Sequence, residues 1–208
     1  MKKNGFTLAE VLITLGIIGV IAAITLPSLM TDTTAAQIGP KLAKAVSSFE
    51  QANESMLNAY SVDSLTDAGI ITSTSSVNQY QNILIKHLKG TIDGTGAFLT
   101  KDGMQLKFTI TSASPANPVD PAHMQRIGNV QIDINGSSKP NVSGSDIFYF
   151  SWWNDGSLRP KGARNWEGTS GTTWESKCPK AENGAITGDG YDYCAGHVFE
   201  NNLKVLYR

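Results

Sequence analysis

Residues 1–27 read MKKNGFTLAEVLITLGIIGVIAAITLP, and this stretch decides how the chain begins to fold. Lys2 and Lys3 precede a mostly apolar run, residues 6–26, which ends at Pro27. Because a helix rises about 1.5 Å per residue, the run is long enough to cross the ~30 Å core of a bilayer. The positive-inside rule then places the N-terminus in the cytoplasm and the rest of the chain outside.

The apolar run contains one acidic residue, Glu10. A secretory signal peptide fits the segment poorly, because such peptides have a shorter apolar region and a small-x-small cleavage site. A plain membrane anchor explains the length but not Glu10, since a carboxylate at the helix centre costs about 2.5–3.5 kcal/mol in a membrane, and less near the end of the span. We therefore expect Glu10 to have a partner of opposite charge.

The residues GFTLAE at positions 5–10, with lysines before them and a hydrophobic stretch after them, resemble the class III signal of type IV pilins and type II secretion pseudopilins. The resemblance implies that a prepilin peptidase cuts after Gly5 and N-methylates Phe6. It also implies that Glu10 is the assembly residue and that the helix bends or melts at Pro27 during assembly. The alternative for Pro27 is that it only marks the exit from the membrane.

The physical chemistry of the segment agrees with this resemblance. Cleavage would create a charged amine at Phe6, and Glu10 lies four residues on, about 6 Å along the helix axis. The two groups can pair within one helix or between neighbouring subunits, and pairing compensates a charge that would otherwise be buried alone. Pairing between subunits would set the axial register of a filament. Small residues in the span would let helices approach closely; they are Gly16, Gly19, Ala22 and Ala23.

Residues 28–60 predict an amphipathic continuation of the helix, because apolar residues recur at three- and four-residue steps. Gly39-Pro40 predicts a kink or a restart within it. The apolar stripe predicts a core face that packs on a sheet. Its members are Leu42, Val46, Phe49, Met56, Leu57 and Tyr60.

Residues 61–208 predict a globular head. We expect a short helix at residues 79–88, a hairpin at residues 97–110 with Asp102-Gly103 in its turn, and a proline-rich loop at residues 112–124. Further strands are expected from NVQIDIN (129–135) and DIFYFSWW (146–153), and a last hairpin from HVFENNLKVLY (197–207). With residues 1–5 as a leader and residues 6–27 as the membrane and assembly helix, this is an α+β fold: a long N-terminal helix packed on an antiparallel sheet.

The stretch DINGSSKPNVSGSDIFYF (133–150) resembles a segment of many pilin-like heads, and the loop at residues 155–166 resembles the calcium-binding loop of major pseudopilins. Calcium requires several hard oxygen ligands. Basic residues largely replace the acidic ones in this loop: Arg159, Lys161 and Arg164. A calcium site would then be built from Asp133, Asn135 and Asp146, and the alternative is that these residues only form turns.

The chain has two cysteines, Cys178 and Cys194. With an export-like N-terminus they predict one disulfide in an oxidising compartment, worth about 3 kcal/mol, while two unrelated thiols are the alternative. The loop that they bound resembles the variable disulfide loop of pilins, which would face outward. Eleven of the 17 aromatic residues follow residue 145, and they predict either a head core or a sugar- or surface-binding platform.

The sequence contains no catalytic motif, and three histidines and two cysteines match no usual zinc spacing. A net charge of −1 without a charged tail gives no electrostatic indication of nucleic-acid binding.

We therefore expect a structural subunit of a type IV pilus or pseudopilus and not an enzyme. The expected partners are copies of itself or other pilins, the prepilin peptidase and an inner-membrane assembly platform. The chain would be a single-pass protein of the bacterial inner membrane and then part of a surface or periplasmic filament. The alternative is a membrane-tethered adhesin with an exposed aromatic and disulfide-loop surface.

Overall fold

The computed structural model describes residues 7–111, 125–139, 141–163, 178 and 193–203, and among these it leaves the side chains of residues 26–35 undescribed. The chain divides into two compact units, residues 1–37 and residues 38–208. The predicted cleavage point at Gly5 and Phe6, the proline-rich loop at residues 112–124 and most of the disulfide loop lie outside the described residues.

The first helix, α1, spans Leu8–Tyr60. Its segment Leu8–Thr25 is apolar and long enough to cross a membrane, and none of it is buried by the rest of the chain. The two described hydroxyl groups there bond back to the helix: Thr14 Oγ1 donates to the Glu10 carbonyl and Thr25 Oγ1 to the Ile21 carbonyl, each at 2.9 Å. Because these hydroxyls are satisfied internally, they add little cost to burial in lipid.

The kink or restart predicted at Gly39-Pro40 is wrong, because α1 continues through both residues. Ile38 and Leu42, on either side, are buried in the core and hold the helix in place. Gly39 has a packing role instead, since a Cβ atom there would collide with the backbone of Leu203. Tertiary packing therefore outweighs the local preference of a Gly-Pro pair to break a helix.

The apolar stripe on α1 is confirmed as a core face, with one exception. Leu42, Phe49 and Met56 are fully buried, and Val46 and Leu57 are nearly so. Tyr60 was expected to belong to this face, but 47% of it is exposed. The reason is positional, because Tyr60 is the last residue of α1 and lies past the point where the helix contacts the core.

The head contains a six-stranded antiparallel meander in the order β1-β2-β3-β4-β5-β6. The predicted hairpin and the two predicted later strands are confirmed, as is the short helix, α2 (Val77–His87). Two three-residue strands at the sheet edges, β1 and β6, were not predicted. The strands are β1 (Gly90–Ile92), β2 (Phe98–Thr100), β3 (Gln105–Ile110), β4 (Arg126–Asp133), β5 (Ile147–Trp153) and β6 (Leu158–Pro160).

One face of the sheet packs under α1 and α2. Cross-strand rows on this face bring apolar residues together, such as Phe108 opposite Val130 and Val130 opposite Phe150. Phe49 of α1 stacks on Phe108, with ring centroids 5.9 Å apart, and meets Trp152 edge-on at 6.1 Å. This aromatic cluster is the centre of the core, and it fixes α1 to the sheet.

The C-terminal hairpin predicted for residues 197–207 is wrong for its described part. Cys194–Glu200 form a helix, α3, and the chain then turns at Asn202, whose φ is +53°. Ala195 and Val198 on α3 are fully buried in the core. A helix forms here because burial against the sheet decides the local conformation, and the apolar residues of so short a segment fit either pattern.

Candidate functional site

Thr7 and Glu10 cap the N-terminus of α1. The Thr7 backbone N–H and its hydroxyl both donate to Glu10 Oε2 at 2.8 Å, and the Glu10 N–H donates to Thr7 Oγ1 at 3.3 Å. This reciprocal arrangement is a capping box, in which an N-cap threonine and a glutamate three residues later satisfy each other's free N–H groups. Glu10 therefore has partners within its own helix.

Thr7 belongs to this site, although its role was not predicted from the sequence. Its signal was readable, because threonine followed by glutamate at the third position before an apolar run is the pattern of a capping box. Phe6, which would carry the new amine, lies outside the described residues, so a contact between that amine and Glu10 stays a prediction. Pro27 lies within the helical backbone of α1.

The three residues predicted as calcium ligands come together at one end of the sheet, where Asp146 organises a turn. Its Oδ2 accepts the Asn141 N–H at 2.7 Å and the Asn135 side-chain amide at 3.0 Å, and its Oδ1 accepts the Val142 N–H at 2.7 Å. Asp146 is 3% exposed, so these bonds replace the water that its carboxylate would otherwise bind.

Asp133 is the second buried carboxylate at this end of the sheet. Its Oδ1 accepts the Asn135 N–H at 3.1 Å. Burial raises the pKa of Asp133 to about 6; the Asn135 N–H opposes this shift, and the charge of Asp146 adds to it. Asn141, turned so that its amide suits its neighbours, donates to the Gly136 carbonyl at 2.9 Å and lies 3.2 Å from Asp133 Oδ2. Both carboxylates thus stabilise the same turn through hydrogen bonds.

These residues already make the hydrogen bonds of a turn, which does not favour a calcium site among them. Calcium takes six to eight oxygen ligands, whereas the oxygens of Asp146 already accept three N–H groups. Asp155, in the neighbouring loop, is likewise used by its own turn, because its Oδ1 accepts the N–H and the hydroxyl of Ser157. Within the described residues no group of three or more His, Cys, Asp or Glu could hold a metal ion. The arrangement supports the turn interpretation, and calcium binding stays a prediction.

The predicted disulfide joins Cys178 to Cys194, with the two Cα atoms 5.0 Å apart. Both cysteines are buried, and Cys194 is the first residue of α3. The bond therefore ties Cys178 directly to a helix that packs on the sheet.

Most of the described late aromatic residues belong to the core. Phe148, Phe150 and Trp152 are fully buried on the α1 side of β5. Trp153 is also buried, and the Arg159 guanidinium lies 4.1 Å from its ring centroid. Trp166 and Trp174, which were part of the predicted surface platform, lie outside the described residues. The described aromatics therefore support the core interpretation and give no support to a binding platform.

In the comparison with protein families, residues 1–26 match the family model described as the prokaryotic N-terminal methylation motif. Comparisons with curated proteins and with solved structures gave no match. The matched residues include the GFTLAE stretch and the capping pair of Thr7 and Glu10. The chain thus carries, over residues 1–26, the N-terminal signature of type IV pilins and pseudopilins.

Proposed function

We propose that this protein is a structural subunit of a type IV pilus or pseudopilus, cleaved after Gly5, N-methylated at Phe6 and polymerised through α1. One observation carries the proposal: the methylation motif, residues 1–26, overlaps the start of a helix whose first 18 residues are strongly apolar and unburied. A structural and non-catalytic role agrees with the absence of a recognisable catalytic motif from the sequence. Before assembly the protein is a single-pass inner-membrane protein with its head outside the cytoplasm.

The exposed apolar surface of α1 must be shielded from water both before assembly and in the proposed filament. Large side chains point outward all round the helix, among them Leu12, Ile18 and Ile24, each more than 60% exposed. Lipid covers them in the membrane, and neighbouring copies of the helix cover them in a filament. Gly16 and Gly19 have no other group within 4 Å of their missing side chains, so they leave room for a close helix–helix approach.

Glu10 is the polar contact in this otherwise apolar interface. In the single chain its carboxylate already accepts two hydrogen bonds from Thr7, both at Oε2. A carboxylate can accept about four hydrogen bonds, so an amine from the Phe6 of another subunit can be added without opening the cap. The cap also holds the carboxylate at the start of the helix, at the level where a neighbour's amine would arrive.

The proposal is tested with fibres sheared from the native host, examined by electron microscopy and mass spectrometry. We expect a main band that begins with N-methyl-Phe6. Glu10→Gln keeps the size of the side chain and removes its charge, so fibre yield should fall severely. Glu54→Gln, at another exposed glutamate of α1, is the matched control and should leave the yield unchanged.

Two results would overturn the proposal. One is intact protein from the host that still begins at Met1. The other is a normal fibre yield from Glu10→Gln. Processed protein without any fibre would instead favour a membrane-tethered binding protein that uses the pilin signal.

A further inference from the structure

A groove of about 550 Å³ lies in the head, between α1, the end of α2 and the β2–β3 hairpin. This volume falls within the roughly 300–1,000 Å³ of small-molecule sites. Ser48, Gln51 and Thr100 add hydroxyl and amide groups to its lining. The apolar part of the lining consists of Ala45, Ala52, Leu88, Met104 and Leu106.

Two lysines of the groove lining, Lys89 and Lys101, lie opposite each other just beyond the end of the β1–β2 ladder. Gly90 pairs with Thr100 at the end of the β1–β2 ladder. At the next pair of positions beyond this end, the Lys101 N–H donates to the Lys89 carbonyl at 3.3 Å. Residues directly opposite in an antiparallel pair have Cβ atoms about 5 Å apart and point to the same side, and like charges in this position destabilise the pair. Both lysines are exposed, and both line the groove.

The nearby acidic residue does not relieve this repulsion. Asp102 Oδ2 lies 2.8 Å from Lys44 Nζ, so its charge is already paired. Within the part of the chain that the structure describes, neither Lys89 nor Lys101 takes part in an ion pair. The C-terminal end of α2 adds a partial negative charge of about one half, which is small beside two full positive charges.

We propose that the groove binds a small organic phosphomonoester, with the phosphate at Lys89 and Lys101 and the organic part on the apolar lining. A phosphomonoester carries close to two negative charges near pH 7, which matches the two lysines, and lysine is an established phosphate partner. His87 lines the same groove and bonds to Ser55 Oγ through Nδ1 at 3.0 Å, which fixes its ring at the rim. The site lies apart from the N-terminal motif and does not depend on filament assembly.

The test is a nuclear magnetic resonance titration of the full chain in non-ionic detergent at constant ionic strength. The probes are phenyl phosphate, inorganic phosphate and benzyl alcohol, which separate the charge from the apolar part. Phenyl phosphate should give saturable shifts at the groove, inorganic phosphate should bind several-fold more weakly, and benzyl alcohol should give no saturable shift there. Lys89→Gln with Lys101→Gln should weaken phenyl phosphate binding about tenfold or more, since both charge contacts are lost. Lys139→Gln, an exposed lysine outside the groove, is the matched control and should change nothing.

If the double variant folds poorly, a second variant and a second measurement still test the proposal. Ser48→Phe fills the groove and leaves both lysines in place, so it should remove the preference for phenyl phosphate over inorganic phosphate. Phenyl phosphate should raise the melting temperature of the wild type and not that of the double variant. Equal binding of the two phosphates, no saturable shift, or unchanged affinity in the double variant would overturn the site.

Discussion

The Tyr80 hydroxyl donates a hydrogen bond of 2.8 Å to Oδ1 of Asn53 inside the core of the head. Asn53 lies on α1 and is fully buried, and its Nδ2 donates to the Gly156 carbonyl at 3.1 Å and to the Phe49 carbonyl at 3.2 Å. One asparagine therefore joins α1, α2 and the turn between β5 and β6. Because every polar atom of its amide is bonded, it specifies how these three elements fit together.

Tyr80→Phe should destabilise the head by about 1–2 kcal/mol, because it leaves Oδ1 of Asn53 buried without its donor. Asn53→Leu should cost more, about 2–4 kcal/mol, since it leaves two polar groups unpartnered and places a larger apolar side chain there. The measurement is urea unfolding of the full chain in non-ionic detergent, followed by tryptophan fluorescence. Tyr60→Phe, at an exposed tyrosine, is the control and should stay within about 0.5 kcal/mol of the wild type. Equal stability of Tyr80→Phe and Tyr60→Phe would contradict the role of the bond.

Gly156→Ala should also be strongly destabilising. Gly156 has a φ of +83°, and a Cβ atom there would collide with the side chain of Asn53. We expect a loss of about 2–4 kcal/mol, from backbone strain together with displacement of Asn53. Gly69→Ala is a matched control, because Gly69 has a φ of +66° but open space around it. That control should show the strain alone, about 1 kcal/mol, by the same urea measurement. A similar loss in both variants would show that contact with Asn53 contributes nothing.

Secondary-structure elements could be predicted from the sequence where the hydrophobic pattern is local and extends over many residues. The stripe on α1 follows from periodicity, so this helix was predicted together with the face that it buries, and β3, β4 and β5 were predicted as strands without their buried faces. Residues with distant partners were not predicted. Asn53 looks like a polar interruption of the stripe, because its partners Tyr80 and Gly156 lie 27 and 103 residues away.

The predictions that were wrong, at Gly39-Pro40 and at residues 197–207, failed for the same physical reason. Gly39-Pro40 reads locally as a break, but the helix is held by buried neighbours and by a close approach to Leu203. The α3 segment carries apolar residues that suit a strand or a helix, and its packing on the sheet decides between them. In the candidate site, the roles predicted for Gly5 and Glu10 rest on a motif, whereas the role of Thr7 comes from helix capping and was not predicted.

Removal of the disulfide should destabilise the head without abolishing the sheet. Cys178→Ala with Cys194→Ala frees the loop between them, a separation of 16 residues, and should cost about 3 kcal/mol in the chain-entropy account. α3 should lose helical order first, because Cys194 is its first residue. The measurement is thermal unfolding with and without a reductant. The reductant should lower the melting temperature of the wild type and leave the double variant unchanged; an effect on both would point to another cause.

Asp133 should make the stability of the head depend on pH below neutrality. Because burial raises its pKa from 3.8 to about 6, the folded chain binds more protons than the unfolded chain between these values. Stability should therefore fall as the pH rises through this window, and the penalty should be complete above about pH 6. Asp133→Asn removes the charge, keeps an oxygen that accepts the Asn135 N–H, and should stabilise the head by about 1 kcal/mol near pH 7.5 and by little near pH 4. Urea unfolding at both pH values measures this difference, with Asp63→Asn, at an exposed aspartate, as the control. A gain of the same size at both pH values, or a gain shared by the control, would mean that the titration of Asp133 is not its source.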